Sequence, residues 1–308
     1  MIKILILGGS SYLGKNFINL YKNKLKLFYP TKKKLNLLNI ESINKYFKKN
    51  SLKIDIILNF SVYQKTGEHL INEKKNIIIK NSILNSNILY LWNVYLKNSK
   101  MISMGASCAY SSKDNINSYF HGTLHNSVEH YAIQKRYFAK MCKNLNQKNN
   151  MKYLILVPGT LIGAGEQMDL SKKHFFNGAL LRAAIYKNNK SKKYDLYGNR
   201  NITRELSDVS YVSKFIYKKL NFKKSKVINI MPDFRINLGQ FYDYICKELQ
   251  IKSTITNKRQ KFKAAKEKMY KVSVKYDLTL NKIIDNKKFI NLFNETYNYY
   301  DNKLKNYE

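Results

Sequence analysis

The first half of the chain alternates short apolar runs with longer segments that are apolar on one side only. Residues 2–7 form an apolar run of strand length that ends at a pair of glycines, which is typical of a buried strand in a parallel sheet. Apolar residues then recur at helical spacing, at Leu13, Phe17, Ile18 and Tyr21. The chain therefore opens with a strand, a glycine turn and a helix.

The same alternation continues to residue 160. It predicts strands near residues 25–29, 54–60, 100–104 and 153–157, and helices near residues 40–49, 76–97 and 128–146. Strands that alternate with helices of this length indicate repeated βαβ units. We therefore predict an α/β fold, with a Rossmann-type doubly wound parallel sheet over residues 1–160 to which later segments return. The alternation is irregular over residues 161–308, where we expect a smaller C-terminal substrate-binding lobe.

The charge of the chain suggests a nucleic-acid partner, but the composition does not. The 308 residues include 56 Lys+Arg against 20 Asp+Glu, a formal net charge of +36. Of the basic residues 50 are Lys and only 6 are Arg, whereas Arg is the residue whose fork binds phosphates and guanines. The lysines are spread along the chain together with 38 Asn, as an AT-rich coding sequence would produce. We therefore expect no nucleic-acid partner.

Membrane, metal and disulfide functions are also disfavoured. No run of about 18 apolar residues is present, so we expect no membrane span. Cys108, Cys142 and Cys246 lack CxxC spacing, which argues against a disulfide framework or a zinc site. Four histidines without ligand spacing are expected to be solvent-exposed: His69, His121, His125 and His130. No signal-peptide pattern precedes the first predicted helix, so we expect a cytoplasmic protein.

The glycine turn after the first strand is a candidate dinucleotide site. Glycine lets the backbone approach a pyrophosphate, and the following helix N-terminus supplies N–H donors and a favourable dipole. The expected middle glycine of the motif is Ser11, a small residue. The predicted cofactor-binding residues of this turn are Gly8, Ser10, Ser11, Tyr12, Leu13 and Gly14. On its own the motif is also compatible with an ordinary tight turn.

The end of the second predicted strand bears on the choice of dinucleotide. An NAD-selective site places Asp or Glu there to bind the ribose 2′-hydroxyl, and residues 29–34 contain no acid. Lys32 or a neighbouring lysine is instead a candidate partner for a 2′-phosphate. We therefore predict NADP(H) as the cofactor. The alternative is that these lysines are ordinary solvated residues.

A tyrosine and a lysine four residues apart lie on the helix predicted over residues 128–146. Spacing of i, i+4 puts Tyr131 and Lys135 on one helix face. A nearby ammonium stabilises a phenolate, so Lys135 should lower the pKa of Tyr131 and let the phenol exchange a proton beside a carbonyl group. The pair lies downstream of the small residues 105–108, which follow the fourth predicted strand. Tyr131 and Lys135 are therefore candidate catalytic residues.

Further motifs occur in a fixed order along the chain. They are residues 35–38, Asn81, residues 86–88, residues 104–110, residues 122–124, residues 131–135, residues 158–163, His174, residues 180–182, Tyr197 with Gly198, and Arg204 with Glu205. With these motifs residues 1–240 resemble the nucleotide-sugar branch of the extended short-chain dehydrogenase/reductases, the NAD-dependent epimerase/dehydratase family. Within that branch the motifs are most similar to those of the GDP-L-fucose synthases.

The resemblance implies roles for the site residues. It makes Tyr131 the acid that protonates the sugar C4 oxygen, and Lys135 the residue that lowers the pKa of Tyr131 and holds the cofactor ribose. Cys108 and His174 match an epimerisation base and its partner acid, with Ser107 as a neighbouring catalytic hydroxyl. The implied further contacts are Phe60, Ser61, Asn81, Met104, Pro158 and Thr160 to the cofactor, and Arg182, Tyr197 and Arg204 to the substrate.

The function that the resemblance implies is NADPH-dependent reduction of a 4-keto nucleotide-sugar. The sugar is expected to be a GDP-linked 6-deoxy-hexose or heptose used in surface-polysaccharide synthesis. Epimerisation at C3 or C5 depends on Cys108 and His174. The resemblance also implies a homodimer formed through the helices near residues 76–97 and 128–146. Two alternatives stay open: a 4-epimerase that retains NAD, and a catalytically impaired dinucleotide-binding paralogue.

Several positions depart from the family pattern. The family's catalytic serine is Ala106 here, and the adjacent Ser107 should point to the opposite face if the strand continues. Thr160 stands where the family has an asparagine near the nicotinamide. Ser107-Cys108 stands where the 4,6-dehydratases have an acid–base Asp-Glu pair. These departures motivate the impaired alternative and disfavour a dehydratase.

Overall fold

Six parallel strands form the larger sheet of the described chain. The structure is a computed structural model that describes residues 1–50, 52–66, 72–110, 119–189, 194, 200–252, 276–278, 283 and 286–306. The strands of this sheet are β1 (Lys3–Leu7), β2 (Lys26–Phe28), β3 (Ile56–Asn59), β4 (Lys100–Met104), β5 (Tyr153–Val157) and β8 (Lys226–Asn229). Their order across the sheet is β2-β1-β3-β4-β5-β8. β3 and β5 are buried along their whole length, as apolar strands in the middle of a parallel sheet are.

Helices connect these strands and cover both faces of the sheet. They are α1 (Tyr12–Tyr21), α2 (Ile40–Lys49), α3 (Lys74–Tyr95), α4 (Glu129–Asn149) and α6 (Val209–Lys218). α3 packs against α4 on one face, and α1 packs against α6 on the other. Each strand and helix predicted before residue 160 is present, with ends a few residues from those predicted. The doubly wound α/β fold is therefore confirmed.

The chain changes direction across the sheet at β1. Leu5 on β1 pairs with Phe28 on one side and with Ile57 on the other, so β2 and β3 flank the same strand. In open α/β sheets, ligands bind beyond the carboxyl ends of the strands at such a switch point. The turn after β1 and the segments after β3 and β4 therefore meet at one edge of the sheet.

A second sheet, of four described strands, follows the first five strands of the chain. It consists of β6 (Thr160–Ile162), β7 (Thr203–Asp208), β9 (Phe234–Asn237) and β10 (Tyr276–Leu278), in the order β10-β9-β7-β6. The helices α5 (Phe175–Asn188), α7 (Leu238–Glu248) and α8 (Lys287–Lys305) pack with it around an aromatic-rich core. β8 follows β7 in the chain but pairs with β5 of the first sheet. The domain boundary near residue 160 stays a prediction.

No helix of the described residues is long and apolar enough to cross a membrane. Across the same residues, no group of three or more His, Cys, Asp or Glu side chains is arranged to hold a metal ion. The expectation of an exposed histidine is wrong for His130, which is buried near the start of α4. His69 lies outside the described residues.

Candidate active site

A cavity of about 530 Å³ opens beyond the carboxyl ends of β1, β3, β4 and β5. Its wall is shared by the first sheet, by the segment that leads into α5, and by β7 of the second sheet. The predicted site residues that line it are Ser11, Tyr12, Leu13, Phe60, Met104, Ser107, Cys108, Tyr131, Lys135, Pro158, Thr160, His174 and Arg204. The tertiary structure therefore brings together side chains that are widely separated in the sequence.

The glycine turn after β1 packs directly against the segment after β3. Gly8 has a φ of +82°, and a Cβ atom on it would lie 2.8 Å from the carbonyl carbon of Phe60 and from the backbone nitrogen of Ser61. Glycine tolerates this conformation and this approach because it has no Cβ. A Cβ atom on Gly14 would lie 2.4 Å from the carbonyl oxygen of Gly8. The turn is therefore as tight as a pyrophosphate-binding turn requires.

Ser11 stabilises the start of α1, and Ser61 lies where the segment after β3 approaches Gly8. The Ser11 hydroxyl accepts a hydrogen bond of 3.1 Å from the backbone N–H of Gly14, which makes Ser11 the N-cap of the helix. The buried Oγ of Ser61 has no hydrogen-bond partner among the described residues, an arrangement that suits a polar ligand. The close turn, the helix N-terminus and the Ser61 hydroxyl together fit a dinucleotide.

The segment after β4 forms a turn and does not continue as a strand. β4 ends at Met104, and Ser107–Ala109 form one turn of 3₁₀ helix that follows the extended residue Ala106. Ala106 and Ser107 consequently both line the cavity. The alternation of faces holds within a strand, and β4 ends at Met104. The opposite orientation of these two side chains stays a prediction. Ser107 brings a hydroxyl group to the same cavity wall as Ala106, which has none.

Tyr131 and Lys135 lie one helical turn apart at the start of α4. The Nζ atom of Lys135 is 5.7 Å from the ring centroid of Tyr131 and donates a hydrogen bond of 2.9 Å to the carbonyl oxygen of Met104. Burial raises the pKa of Tyr131, and the neighbouring Cys108 and Tyr119 raise it further. Burial also lowers the pKa of Lys135 to about 8, an effect that Cys108 opposes. The expected lowering of the Tyr131 pKa by Lys135 is therefore wrong, because burial, Cys108 and Tyr119 all raise this pKa and keep the phenol protonated.

Cys108 and His174 line the cavity from two different segments. Burial raises the pKa of Cys108 to about 12, and the charge of Lys135 opposes that rise. Burial lowers the pKa of His174 to about 4, and the charge of Arg204 lowers it further. At neutral pH the pair is therefore a thiol and a neutral imidazole. The thiolate expected of an epimerisation base is disfavoured by the same burial that places Cys108 in the wall.

Asn81 positions a loop and does not face the cavity with a free amide. Its Oδ1 accepts a hydrogen bond of 2.9 Å from the N–H of Tyr63, and its Nδ2 donates to the carbonyl oxygens of Tyr63 and Ile77 at 2.8 and 2.9 Å. These contacts engage both ends of the amide. The predicted direct contact of Asn81 with the cofactor is therefore replaced by an indirect role, in which Asn81 holds the loop after β3.

Other predicted residues lie away from the cavity wall. Ser10 and Lys32 are exposed beside β1 and β2. Arg182, predicted to bind substrate, is not among the described residues that line the cavity. It acts instead on Tyr242, by charge and a hydrogen bond, and on Tyr194 by charge. Tyr197 lies outside the described residues.

Some residues of the site carry almost no signal in the sequence. The side-chain nitrogen of Gln64 lies 3.4 Å from Nε2 of His174. Glu166, buried in the cavity wall, accepts a hydrogen bond of 2.9 Å from Asn177 and pairs with Lys173 at 3.4 Å. The contact of Gln64 joins segments 110 residues apart, whereas the partners of Glu166 lie 7 and 11 residues further along the chain. The scarcity of acids, 20 in the whole chain, is the one signal that points to Glu166.

Sequence comparison adds to this geometry. The model of the NAD dependent epimerase/dehydratase family matches residues 4–230 of the chain. A GDP-L-colitose synthase from Yersinia pseudotuberculosis is 23% identical over 273 residues, which cover 84% of this chain and 86% of that protein.

Solved structures share the fold. A GDP-L-fucose synthetase from Naegleria fowleri bound to NADP superimposes with a TM-score of 0.77 and 17% identity, covering 99% of this chain and 95% of that one. A GDP-6-OMe-4-keto-L-xylo-heptose reductase from Campylobacter jejuni superimposes with a TM-score of 0.76 and 16% identity, covering 98% of each chain. At these identities the likeness concerns the fold.

Proposed function

The chain belongs to the NAD dependent epimerase/dehydratase family, and from that premise we propose that it is an NADPH-dependent reductase of a 4-keto nucleotide-sugar. The proposed sugar is a GDP-linked 6-deoxy-hexose or heptose, because the similar proteins are named for GDP-linked colitose, fucose and a 4-keto-heptose. The proposed place of this reduction is surface-polysaccharide synthesis in the cytoplasm.

The observation that carries this proposal is the position of Tyr131. Tyr131, Lys135 and Ser107 line the same cavity as Ser11 and Tyr12 of the dinucleotide turn. In ketone reduction the carbonyl carbon accepts a hydride while the carbonyl oxygen accepts a proton. A cavity that combines a proton donor with a dinucleotide turn suits that reaction.

Several residues of the cavity have separate proposed roles in the reaction. When bound, the reduced nicotinamide supplies the hydride. Tyr131 holds a proton on its hydroxyl because burial raises its pKa, and it donates that proton to the oxygen at C4. Lys135, protonated below its pKa of about 8, holds the ribose hydroxyls and stabilises the phenolate left on Tyr131. Ser107 offers the substrate oxygen a second hydroxyl donor.

NADP(H) is the proposed cofactor for three reasons. Lys32 is exposed just after β2, and no acid stands there to bind the ribose of NAD. The close approach of Gly8 to Ser61, with the unpartnered Ser61 hydroxyl, suits a dinucleotide. The similar protein from Naegleria fowleri has NADP bound in the same fold.

The diphosphate of the substrate is proposed to lie near β7. Arg204 on β7 lines the cavity, and Lys65 and Lys172 line it as well. Lys65 and Lys172 already pair with Glu73 and Asp169, and Glu205 lies next to Arg204 in the same wall, so Arg204 is the main proposed contact. Charge-assisted hydrogen bonds from arginine to phosphate are strong. The predicted contact by Tyr197 stays a prediction.

Epimerisation at C3 or C5 is a second candidate activity. Cys108 and His174 line the cavity that contains Tyr131, so all three residues face one substrate volume. A proton must leave the carbon next to the ketone and return to it, which needs a base of suitable pKa. Because the pKa of Cys108 is about 12, we expect this exchange to be slow at neutral pH.

The test of the reductase is an incubation with NADPH and a panel of GDP-, CDP- and UDP-linked 4-keto sugars, followed by the loss of reduced-nicotinamide absorbance. We expect consumption with a GDP-linked sugar. We also expect kcat to fall at least about a hundredfold in Tyr131→Phe, with NADPH binding retained. Absence of consumption with every sugar would contradict the proposal.

The same preparation discriminates the alternatives. Tightly held NAD in the purified protein, with interconversion of C4 epimers and no need for added NADPH, would favour the NAD-retaining 4-epimerase. Binding of NADPH without turnover of any sugar, in the wild type and in Tyr131→Phe alike, would favour the impaired paralogue motivated by Ala106.

A homodimer is proposed through α3 and α4. These helices pack on each other and expose apolar side chains at helical spacing: Ile79, Ile83, Tyr90 and Val94 on α3, and Ile133 and Tyr137 on α4. Apolar rows on two adjacent helices suit burial against a second copy. We expect light scattering to give twice the mass of the chain, and Ile79→Glu with Ile83→Glu to give the monomer mass.

A further inference from the structure

Two consecutive basic residues of α4 bind the two ends of the segment that carries Ser107 and Cys108. Lys135 donates to the carbonyl oxygen of Met104 at 2.9 Å. Arg136 donates to the carbonyl oxygen of Ala109 from Nε at 3.0 Å and from Nη2 at 2.7 Å. The segment from residue 104 to residue 109 is therefore held at both ends by the helix that carries Tyr131.

Arg136 also ties a third segment to this arrangement. Its Nη1 donates a hydrogen bond of 2.7 Å to the carbonyl oxygen of Gly122, in the loop that leads towards α4. All three guanidinium nitrogens are thus used on two backbone oxygens. A planar fork reaches two acceptors with fixed geometry, which an ammonium on a flexible stem does not do.

The environment of Arg136 is costly for a cation. The residue is buried, and none of the ion pairs among the described residues includes its guanidinium. Burial lowers its pKa, and the two carbonyl oxygens accept the hydrogen bonds of the buried guanidinium. The carbonyl of Ala109 lies at the C-terminus of the 3₁₀ turn, where a cation is favourable. An apolar residue would fill this position at lower desolvation cost, so a buried arginine calls for a role that depends on its fork.

We propose that Arg136 is a positioning residue that sets the placement of Ser107 and Cys108 relative to Tyr131. The proposal rests on the reductase activity proposed above for its kinetic readout. Displacement of reacting groups by about 1 Å can lower a rate a hundredfold. Because Arg136 does not line the cavity, its loss should leave ligand binding nearly intact and lower the rate of the chemical step.

Two variants and one control test this role. Arg136→Lys keeps the positive charge but loses the planar guanidinium group. Arg136→Met keeps the approximate side-chain length but loses the charge and the guanidinium group. We expect kcat to fall about ten- to a hundredfold in Arg136→Lys and further in Arg136→Met, with KM for the sugar and Kd for NADPH within about twofold of wild type. Lys140→Met, which alters an exposed residue one turn further along α4, should leave all of these unchanged.

A second readout does not depend on turnover. The thiol of Cys108 is buried, so a loosened turn should let N-ethylmaleimide alkylate it faster, as measured by peptide mass spectrometry. We expect faster alkylation in Arg136→Lys and Arg136→Met than in wild type and Lys140→Met, with unchanged melting temperature for Arg136→Lys.

The outcomes separate this proposal from the proposed function. Unchanged kcat and alkylation in both Arg136 variants would overturn the positioning role. A parallel loss of kcat, ligand binding and melting temperature would also overturn it, in favour of a purely structural role. A wild-type protein that reduces no sugar would contradict the reductase, and the alkylation rates would still decide whether Arg136 holds the turn.

Discussion

The Nζ atom of Lys135 donates a hydrogen bond of 2.9 Å to the carbonyl oxygen of Met104, the last residue of β4. This contact holds an ammonium group at the carboxyl end of a central strand, beside the turn that carries Cys108. Burial lowers the pKa of this ammonium to about 8. The charge of Lys135 therefore changes within the pH range in which the protein can be assayed.

Reduction should lose rate at alkaline pH because of Lys135. Below its pKa of about 8 the side chain is charged and can hold the ribose and stabilise the Tyr131 phenolate, and above it the charge is lost. We expect kcat/KM for the sugar to fall about tenfold per pH unit well above that pKa, which a pH–rate profile would show. Lys135→Arg keeps its charge, so it should have lower activity without this alkaline limb. An alkaline limb that persists in Lys135→Arg would assign it to another group.

Ser107 should carry the hydroxyl function that position 106 lacks. Both residues line the cavity because the chain turns after β4. We expect Ser107→Ala to lower kcat roughly a hundredfold, as loss of a hydroxyl donor to a developing oxyanion does. Ala106→Ser in the Ser107→Ala background should restore at least part of that loss. Steady-state kinetics of the three variants measure both effects, and an active Ser107→Ala enzyme would exclude the role.

Proton exchange next to the ketone should have a pH dependence opposite to that of reduction. Because the pKa of Cys108 is about 12, its thiolate fraction rises about tenfold per pH unit between pH 7 and 9. We expect deuterium incorporation from D₂O at C3 or C5 to rise accordingly, and to vanish in Cys108→Ser while reduction continues. Incorporation is measured by mass spectrometry. Exchange that survives in Cys108→Ser would remove Cys108 from this role.

His174 should make the fold sensitive to acid. Its pKa is about 4 in the folded chain against 6.5 for an unperturbed histidine, so below pH 6.5 the unfolded chain binds a proton that the folded chain does not. Stability is therefore lost as the pH falls from 6.5 towards 4. The loss from this group at pH 5 is about 2 kcal/mol in the free energy of unfolding.

Urea unfolding at pH 7 and pH 5 measures this contribution. The difference in free energy of unfolding between wild type and His174→Gln should change by about 2 kcal/mol between the two pH values, in the direction that favours the variant at pH 5. The matched control, His121→Gln, removes an exposed imidazole. A pH-independent difference for His174→Gln would show that the ring has the same pKa in the folded and unfolded chain, which would contradict the lowered pKa.

Lys32 should select the phosphorylated dinucleotide. It is exposed in the segment after β2, where dinucleotide-binding folds carry the residue that contacts the ribose. We expect Lys32→Ala to raise KM for NADPH about tenfold, with little change for NADH, because a single charge-assisted contact with phosphate is lost. Lys24→Ala, an exposed lysine between α1 and β2, is the control. Equal effects on both dinucleotides would assign the 2′-phosphate to another lysine.

The sequence by itself determines the order of strands and helices and the location of the glycine turn after β1. Apolar runs mark β1, β3 and β5 because a strand buried on both faces admits few polar residues. Gly8 and Gly14 mark the turn because a Cβ at either position would collide with backbone atoms. The pairing of Tyr131 with Lys135 follows from helix geometry alone. These features depend on neighbours a few residues away.

Only the tertiary structure decides what those side chains do. Ser107 lines the cavity because the chain turns after β4. Arg182 does not line it, and its side chain interacts with Tyr242. The pKa of Tyr131 rises where spacing alone predicts a fall, because the ring is buried beside Cys108 and Tyr119. Arg136 reaches Ala109 across 27 positions of the chain. These contacts and pKa shifts depend on burial and on residues that are far apart in the sequence. The local pattern of apolar and polar residues does not predict them.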